Sequence, residues 1–321
     1  MGANRRCIIL EILLTSYHRK EVPAMYERIM VPLDGSNAAE MVLPYAEEIA
    51  TRFNSEIALV SVAEPTPAES DHLFRAYLKT IQEKVRTELA DWGARPGTSV
   101  TIEVLVGKPA DEILSYAADQ NVSLVVMASR GTSGEGPWLL GNIAAKVLRA
   151  TTKPVLLIRK EAPAEVLQRK GLTRRILVPL DGSKVAEQIV PHAEELAKLL
   201  GAELILFQAY ESFLGVISGE AMATMSAEEI KEVNKHREEA AKDYLKTISG
   251  PFREMGLTVS EVVVSGDPAD VILSYAESSA VDIITMSTHG LSGIKRWVFG
   301  SVTDKVLHAG DMPILVVRAA G

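Results

Sequence analysis

The chain has 321 residues, of which 47% are hydrophobic and 24% charged, a composition typical of globular proteins with room for two domains. Its formal net charge of −8 disfavours binding to nucleic acid or to an anionic membrane surface, because both attract basic surfaces. Cys7 is the only cysteine, which excludes an intramolecular disulfide and a cysteine-based zinc cluster. No apolar run near the N terminus approaches the roughly 20 residues of a membrane span, so we expect a cytoplasmic protein without a membrane partner.

The chain contains an internal repeat that begins near residue 28. Arg28–Ser36 recurs as Arg175–Ser183, 147 positions later, with one conservative difference. Gly107–Ala117 recurs in similar form as Gly266–Ala276, 159 positions later, so the second copy contains an insertion between the two motifs. The repeat predicts two homologous domains in tandem.

The predicted domains cover residues 25–159 and 173–319. The segment 160–172 is charged and contains Pro163, so we interpret it as a linker. Residues 1–24 match nothing in the second copy. We interpret them as an N-terminal extension or as an artefact of start-codon choice.

Within the first copy, short β-branched runs alternate with helical patterns. The predicted strands lie near residues 28–33, 56–63, 99–106, 123–128 and 153–158, and the predicted helices near 37–53, 70–92, 109–119 and 142–150. The second copy repeats this order, with its insertion in a long amphipathic helix around residues 212–246. This alternation predicts an α/β fold with two tandem doubly wound domains, each an open five-stranded parallel sheet with helices on both faces.

The loop after the first strand of each copy is a candidate for ligand binding. In an open parallel sheet, ligands bind beyond the carboxyl ends of the strands, where the strand order reverses. Both first strands end in Pro-Leu-Asp-Gly-Ser, which places Asp34 and Asp181 at that edge. Such a carboxylate can accept a hydrogen bond from a ligand, for example from an adenine amino group. The alternative is a structural role, because Asp-Gly-Ser also makes a good strand-to-helix turn with a serine cap.

The loop after the fourth strand is rich in glycine. In the second copy it runs from Met286 through Gly290 to Gly300 and Ser301, where a helix begins. Glycine lets backbone N–H groups approach an anion closely, and a helix start presents free N–H groups to a phosphate. Because the chain has neither a P-loop motif nor a dinucleotide-binding glycine motif, the pattern predicts phosphate binding without a Walker lysine.

The corresponding loop of the first copy is less favourable for phosphate. It closes in Gly141-Asn142, and its Glu135 lies opposite a segment that contains Lys295 and Arg296. A carboxylate repels phosphates, whereas the two cations attract them. We therefore expect the first site to be weaker or degenerate.

Together these motifs resemble the universal stress protein family over nearly the whole chain, from about Tyr26 to Val317. The resemblance implies a fold like that of adenine nucleotide alpha-hydrolases, and ATP, alone or with Mg, as the ligand. Family members that bind ATP carry Gly-x2-Gly-x9-Gly-Ser/Thr in the second loop. Gly290 and Gly300-Ser301 match the latter part of this pattern, whereas Ser287 stands at its first glycine, as Ala128 does in the first copy.

The resemblance also implies where each residue lies: Pro179 and Asp181 border the adenine, Ala209 lies near the base, and Met286 lies beside the nucleotide. The candidate binding residues of the second domain are Pro179, Asp181, Ala209, Met286, Ser287, His289, Gly290, Gly300, Ser301 and Val302. Those of the first domain are Pro32, Asp34, Val62, Met127, Arg130, Gly131, Gly141 and Asn142. We assign no catalytic residue and no metal ligand, because no acid, base and nucleophile set and no metal-ligand spacing is visible.

The resulting hypothesis is a stress-response protein that binds ATP or a related adenine nucleotide, mainly in its second domain, and acts as a conformational or association switch. A slow ATPase of the same fold and a nucleotide-free scaffold with degenerate sites are the alternatives. Family members commonly pair through their last strand, so the resemblance implies an internal pseudo-dimer of the two domains. A homodimer of the whole chain is a further possibility, and no nucleic acid partner is expected.

Overall fold

The structure is a computed structural model, which describes residues 25–63, 69–95, 98–131, 140–159, 171–212, 226–288 and 299–319. The N-terminal extension, residues 1–24, therefore lies outside the described residues. The first domain consists of β1 (Arg28–Pro32), α1 (Asn37–Glu40), α2 (Leu43–Phe53), β2 (Glu56–Ala63), α3 (Glu69–Trp92), β3 (Val100–Val106), α4 (Pro109–Asp119), β4 (Leu124–Ala128), α5 (Asn142–Ala150) and β5 (Val155–Ile158).

The second domain repeats this order of elements. It consists of β6 (Arg175–Pro179), a short 3₁₀ helix (Ala186–Ile189), α6 (Val190–Leu200), β7 (Glu203–Tyr210), α7 (Ala227–Glu254), β8 (Val259–Ser265), α8 (Pro268–Ser278), β9 (Ile283–Ser287), α9 (Ser301–Ala309) and β10 (Ile314–Val317). The predicted α/β alternation is confirmed in both copies.

Two helices differ from their predicted bounds. The helix predicted over 37–53 is interrupted between α1 and α2, because Pro44 has no N–H to donate to the carbonyl of Glu40 one turn earlier. The long helix of the second domain begins after Ser226, whose hydroxyl accepts the N–H of Glu229 at 3.3 Å, and it continues to Glu254. Residues 213–225 of the predicted stretch lie outside the described residues.

The ten strands form one sheet with the order β3-β2-β1-β4-β5-β10-β9-β6-β7-β8. All pairs within each domain are parallel, so the two predicted five-stranded parallel sheets are confirmed. They join edge to edge, since β5 and β10 pair antiparallel with Leu156 opposite Leu315. The four strands β4, β5, β10 and β9, in the middle of the sheet, are buried at every residue.

Two apolar layers cover the sheet, one on each face. Residues of α2, α3, α6 and α7 build one layer, to which Ile49, Leu78 and Leu245 contribute. The other layer contains residues of α4, α5, α8 and α9, among them Ile113 and Val306. Because both faces are covered, the strands are apolar without alternation, as expected for doubly wound sheets.

The domains also meet along α2 and α6. The buried carboxylate of Glu48 accepts hydrogen bonds from the N–H of Leu172 at 2.8 Å and from the hydroxyl of Thr173 at 3.1 Å. Burial raises the pKa of Glu48, and these hydrogen bonds oppose the rise. The hydroxyl of Tyr26, which is fully buried, lies 2.8 Å from Nδ1 of His192. Leu172, the last residue of the predicted linker, is therefore buried between the domains.

Candidate functional site

Each domain has a cavity at the carboxyl edge of its sheet. In the first domain the strand order reverses between β1 and β4, and in the second between β6 and β9. The loops that follow these strands diverge at that point and leave a crevice, which is the usual ligand position in open α/β sheets. We refer to these as the first cavity and the second cavity.

The second cavity has a volume of about 310 Å³. Its wall is formed by the ends of β6, β7 and β9 and by the beginnings of α8 and α9. The lining residues are Pro179, Leu180, Asp181, Ala186, Phe207, Ala209, Glu211, Pro268, Ile272, Met286, Ser287, Gly300, Ser301, Val302 and Thr303. The surface is mostly apolar, with two carboxylates and three hydroxyl groups, as is common for pockets that bind small molecules.

Asp181 lies at one end of the second cavity. Its Oδ1 accepts the N–H of Ser183 at 2.9 Å, and the hydroxyl of Ser183 accepts the N–H of Ala186 at 3.0 Å. Gly182 between them has a φ of +82°, a left-handed conformation that favours glycine. The turn thus has the structural role that the Asp-Gly-Ser sequence predicts. The carboxylate of Asp181 also lies on the wall of the second cavity.

The start of α9 forms the opposite side of the second cavity. The N–H of Gly300 donates to the carbonyl of Thr288 at 2.8 Å, and the hydroxyl of Thr303 donates to the carbonyl of Ser287 at 3.0 Å. These bonds fix the first turn of α9 against the end of β9. The first N–H groups of a helix have no partner within it, and Gly300 has no side chain to cap them. The first turn of α9 can therefore bind an anion.

Ser287 occupies the strand end between these two sides. The residue is buried, with a relative exposure of 5%, and its Oγ has no hydrogen-bond partner within the part of the chain that the structure describes. A buried hydroxyl without a partner costs about 1–3 kcal/mol. A polar atom of a ligand in this cavity would remove that cost, so this residue fits a site for a polar ligand.

The first cavity is smaller, about 140 Å³. Two of its lining residues are larger than their equivalents in the second cavity, since Val62 corresponds to Ala209 and Ile143 to Val302. The lining residues are Pro32, Leu33, Asp34, Ala39, Val60, Val62, Pro109, Ile113, Met127, Ala128, Ser129, Arg130, Gly131, Gly141, Asn142, Ile143 and Ala144.

The loop after β4 closes on Asp34 in the first cavity. A Cβ atom added to Gly131 would lie 2.1 Å from Oδ2 of Asp34, so only glycine fits here without movement. The other oxygen, Oδ1, accepts both the N–H and the hydroxyl of Ser36, at 3.0 and 2.6 Å. The carboxylate that would meet a ligand is thus largely surrounded by its own chain.

The structure brings the predicted site residues together. All eight candidates of the first domain line the first cavity, and all described candidates of the second domain line the second. His289 and Gly290 lie outside the described residues, as do Glu135, Lys295 and Arg296. Sequence reasoning missed seven residues of the second cavity, which are Leu180, Ala186, Phe207, Glu211, Pro268, Ile272 and Thr303. Two of them, Pro268 and Ile272, lie in the repeated segment Gly266–Ala276 and could have been found from it.

The described residues include neither a cluster of metal ligands nor a helix that could span a membrane. Within them, no three histidine, cysteine, aspartate or glutamate side chains are grouped closely enough to bind a metal ion. Across the same ranges, none of the helices combines the length and the apolar character needed to cross a membrane.

Comparison with known proteins gives a consistent result. The sequence profile of the Universal stress protein family matches residues 25–159 and again residues 173–318. A universal stress protein of Methanocaldococcus jannaschii is 31% identical over 153 residues, which is 45% of this chain and 94% of that protein. Another, of Mycobacterium bovis, is 22% identical over 312 residues, which is 90% of this chain and 94% of that protein.

Solved structures show the same fold. The crystal structure of a universal stress protein from Archaeoglobus fulgidus aligns with a TM-score of 0.63 and 22% sequence identity. The alignment covers 92% of this chain and 99% of that one. The similarity of fold therefore extends over both domains of this chain.

Proposed function

Because the chain belongs to the universal stress protein family, we propose that it binds an adenine nucleotide, ATP in the first place, in the second cavity. In this proposal the protein acts as a conformational or association switch in a cytoplasmic stress response, and the nucleotide is the ligand to which it responds. We place the first domain at residues 25–159 and the second at residues 173–319.

The observation that carries the proposal is the chemistry at the two ends of the second cavity. Asp181 offers a carboxylate acceptor at one end, where an adenine amino group would donate. The uncapped first turn of α9 offers N–H groups at the other, where phosphates would accept. The apolar wall between them, formed by Pro179, Ala209 and Met286, suits the flat face of a base.

Two further groups support a nucleotide over a simple anion. Glu211 lies on the wall of the second cavity just after β7, where its carboxylate can accept from ribose hydroxyl groups. The buried, unpartnered hydroxyl of Ser287 gains a partner when a phosphate or sugar oxygen lies beside it.

The first cavity is a weaker site in this proposal. Its volume is less than half that of the second, and the carboxylate of Asp34 is surrounded by Ser36 and Gly131. Ala128 and Ala144 replace the hydroxyl groups of Ser287 and Thr303. The internal pseudo-dimer is also part of the proposal, and the antiparallel pairing of β5 with β10 supports it.

The test is calorimetric titration of the full chain with Mg-ATP, followed by an assay of the same sample for ADP. We expect one binding event and no ADP beyond a protein-free control. Steady production of ADP would instead identify a slow ATPase. Absence of binding heat at several temperatures would contradict the proposal and favour the nucleotide-free scaffold.

A further inference from the structure

Two arginines connect the domains at equivalent positions of the repeat. Arg159 follows β5, and its two terminal nitrogens donate to the carbonyls of Gly310 and Leu307 at the C-terminal end of α9. Arg318 follows β10 and reaches in the opposite direction, since Nη1 lies 3.5 Å from the carbonyl of Ala150 and 3.4 Å from that of Thr151. Each arginine therefore contacts the end of a helix that belongs to the other domain.

The chemistry of a helix end explains these contacts. The last four carbonyl groups of an α-helix have no partner within the helix, and they carry the negative end of its dipole. A guanidinium group satisfies such carbonyls with parallel N–H donors and a positive charge. Arg159 thus holds the C-terminal end of α9 from a position in the first domain.

The other end of the same helix forms the anion-binding edge of the second cavity. α9 has nine residues, and at 1.5 Å per residue it is only about 13 Å long. A helix this short moves as one body. Anchoring the carbonyls of Leu307 and Gly310 therefore also fixes where Gly300 and Ser301 lie on the cavity wall.

The two arginines differ in burial and in the helix that each contacts. Arg159 is partly buried, and burial lowers its pKa to about 10, an effect that Asp311 opposes and Arg130 reinforces. Arg318 is exposed, and its contacts with the carbonyls of Ala150 and Thr151 are at the long limit for hydrogen bonds. Of the two, only Arg159 contacts α9, the helix whose start lines the second cavity.

We infer that Arg159 is a positioning residue for the second cavity: it holds α9 so that the first-turn N–H groups meet the phosphates of a bound nucleotide. The inference rests on the proposed function and extends it, because it assigns a role in binding at one domain to a residue of the other. In the proposed function, the base and the ribose contact residues that lie outside α9. Loss of Arg159 therefore weakens phosphate binding selectively.

The experiment compares Arg159→Ala with the matched variant Arg318→Ala in the full chain, by calorimetric titration with ATP and separately with adenosine. We expect Arg159→Ala to weaken ATP binding about tenfold, in the range of helix-end and charged hydrogen-bond energies, and to leave adenosine binding within about twofold. We expect Arg318→Ala to leave both within about twofold, because it contacts α5. Circular dichroism melting of each variant confirms that the chain is folded.

Three outcomes would overturn the inference: wild-type ATP affinity in Arg159→Ala, an equal loss for ATP and adenosine, or the same loss in Arg318→Ala. Arg159→Lys is prepared as well, in case the alanine variant does not fold. It keeps the charge but loses the planar pair of donors, so we expect a smaller loss that is again selective for ATP. If the wild-type chain binds neither ligand, the proposed function itself fails and this inference fails with it.

Discussion

The two cavities lie at equivalent positions of the repeat and differ in their side chains. Both lie where the strand order reverses, both have an Asp-Gly-Ser turn on one side, and both have a glycine before a helix on the other. Yet their volumes are about 310 and 140 Å³. The difference teaches that a repeat can preserve the position of a cavity while its volume and its lining side chains change.

The largest expected effect comes from the glycines before α9 and α5. Gly300→Val places a branched side chain at the anion-binding edge of the second cavity, and we expect loss of ATP binding by more than about 100-fold. Gly141→Val makes the matched change in the first cavity, where a Cβ atom would lie 3.1 Å from the carbonyl of Ser129. We expect it to change ATP affinity much less. Calorimetric titration of both variants checks this, and equal loss from both would remove the distinction between the cavities.

A second contrast concerns stability and involves Glu47 on α2. This side chain is buried, and burial raises its pKa to about 8, with the charge of Glu88 adding to the rise and that of Lys84 opposing it. A raised pKa in the folded state means that the folded protein retains the proton. The contribution of protonated Glu47 to the free energy of unfolding is fully present below pH 4.5, the pKa of the carboxyl in the unfolded chain. It is lost as the pH rises through about 8, the pKa in the folded protein.

We therefore expect Glu47→Gln to match the wild type in stability near pH 4 and to exceed it, by on the order of 2 kcal/mol, near pH 9. Glu194 is the equivalent residue of α6, where it is partly exposed and pairs with Lys198. Glu194→Gln is the control, and we expect a change below about 1 kcal/mol, because partly exposed ion pairs contribute little to stability. Thermal unfolding at several pH values measures both, and an identical pH profile for the two variants would contradict the assignment.

A third contrast exchanges side-chain size between the cavities. Ala209→Val gives the second cavity the side chain of the first, and we expect about tenfold weaker ATP binding, because added atoms in a fitted site cost about 1–3 kcal/mol. Val62→Ala is the reverse change, which enlarges the first cavity and should leave binding in the second unchanged. A titration in which both variants bind like the wild type would show that neither side chain contacts the ligand.

The smallest effect concerns the starts of α4 and α8. Asp267 accepts the N–H groups of Ala269 and Asp270 and lies 3.1 Å from Nζ of Lys305. Lys108 takes its place in the first domain, and its side chain makes no capping hydrogen bond. Lys108→Asp should therefore stabilise the first domain by about 1 kcal/mol, and Asp267→Ala should destabilise the second by a similar amount. Differential scanning calorimetry at low and high salt measures both shifts.

The sequence predicts most of the fold because the strands are short apolar runs between clear turn signals. It does not predict the break before α2, where the missing N–H of Pro44 outweighs a continuous helical pattern. In the second cavity, polar and glycine residues were recognisable from the repeat. Phe207 was not, because an apolar residue on a cavity wall has the same pattern as one in the core. The contacts of Arg159 depend on how β5 meets β10, which no local pattern encodes.

The pairing of β5 with β10 within one polypeptide has a genetic consequence. In a dimer of identical subunits a single coding sequence specifies both sites, so every mutation appears in both and neither can specialise alone. Here the two copies are inherited as separate stretches of one gene, and Ser287 and Ala128 already differ. The fusion also fixes the ratio of the two sites at one to one in every molecule. One copy is thereby free to evolve a different role while the other keeps the ancestral one.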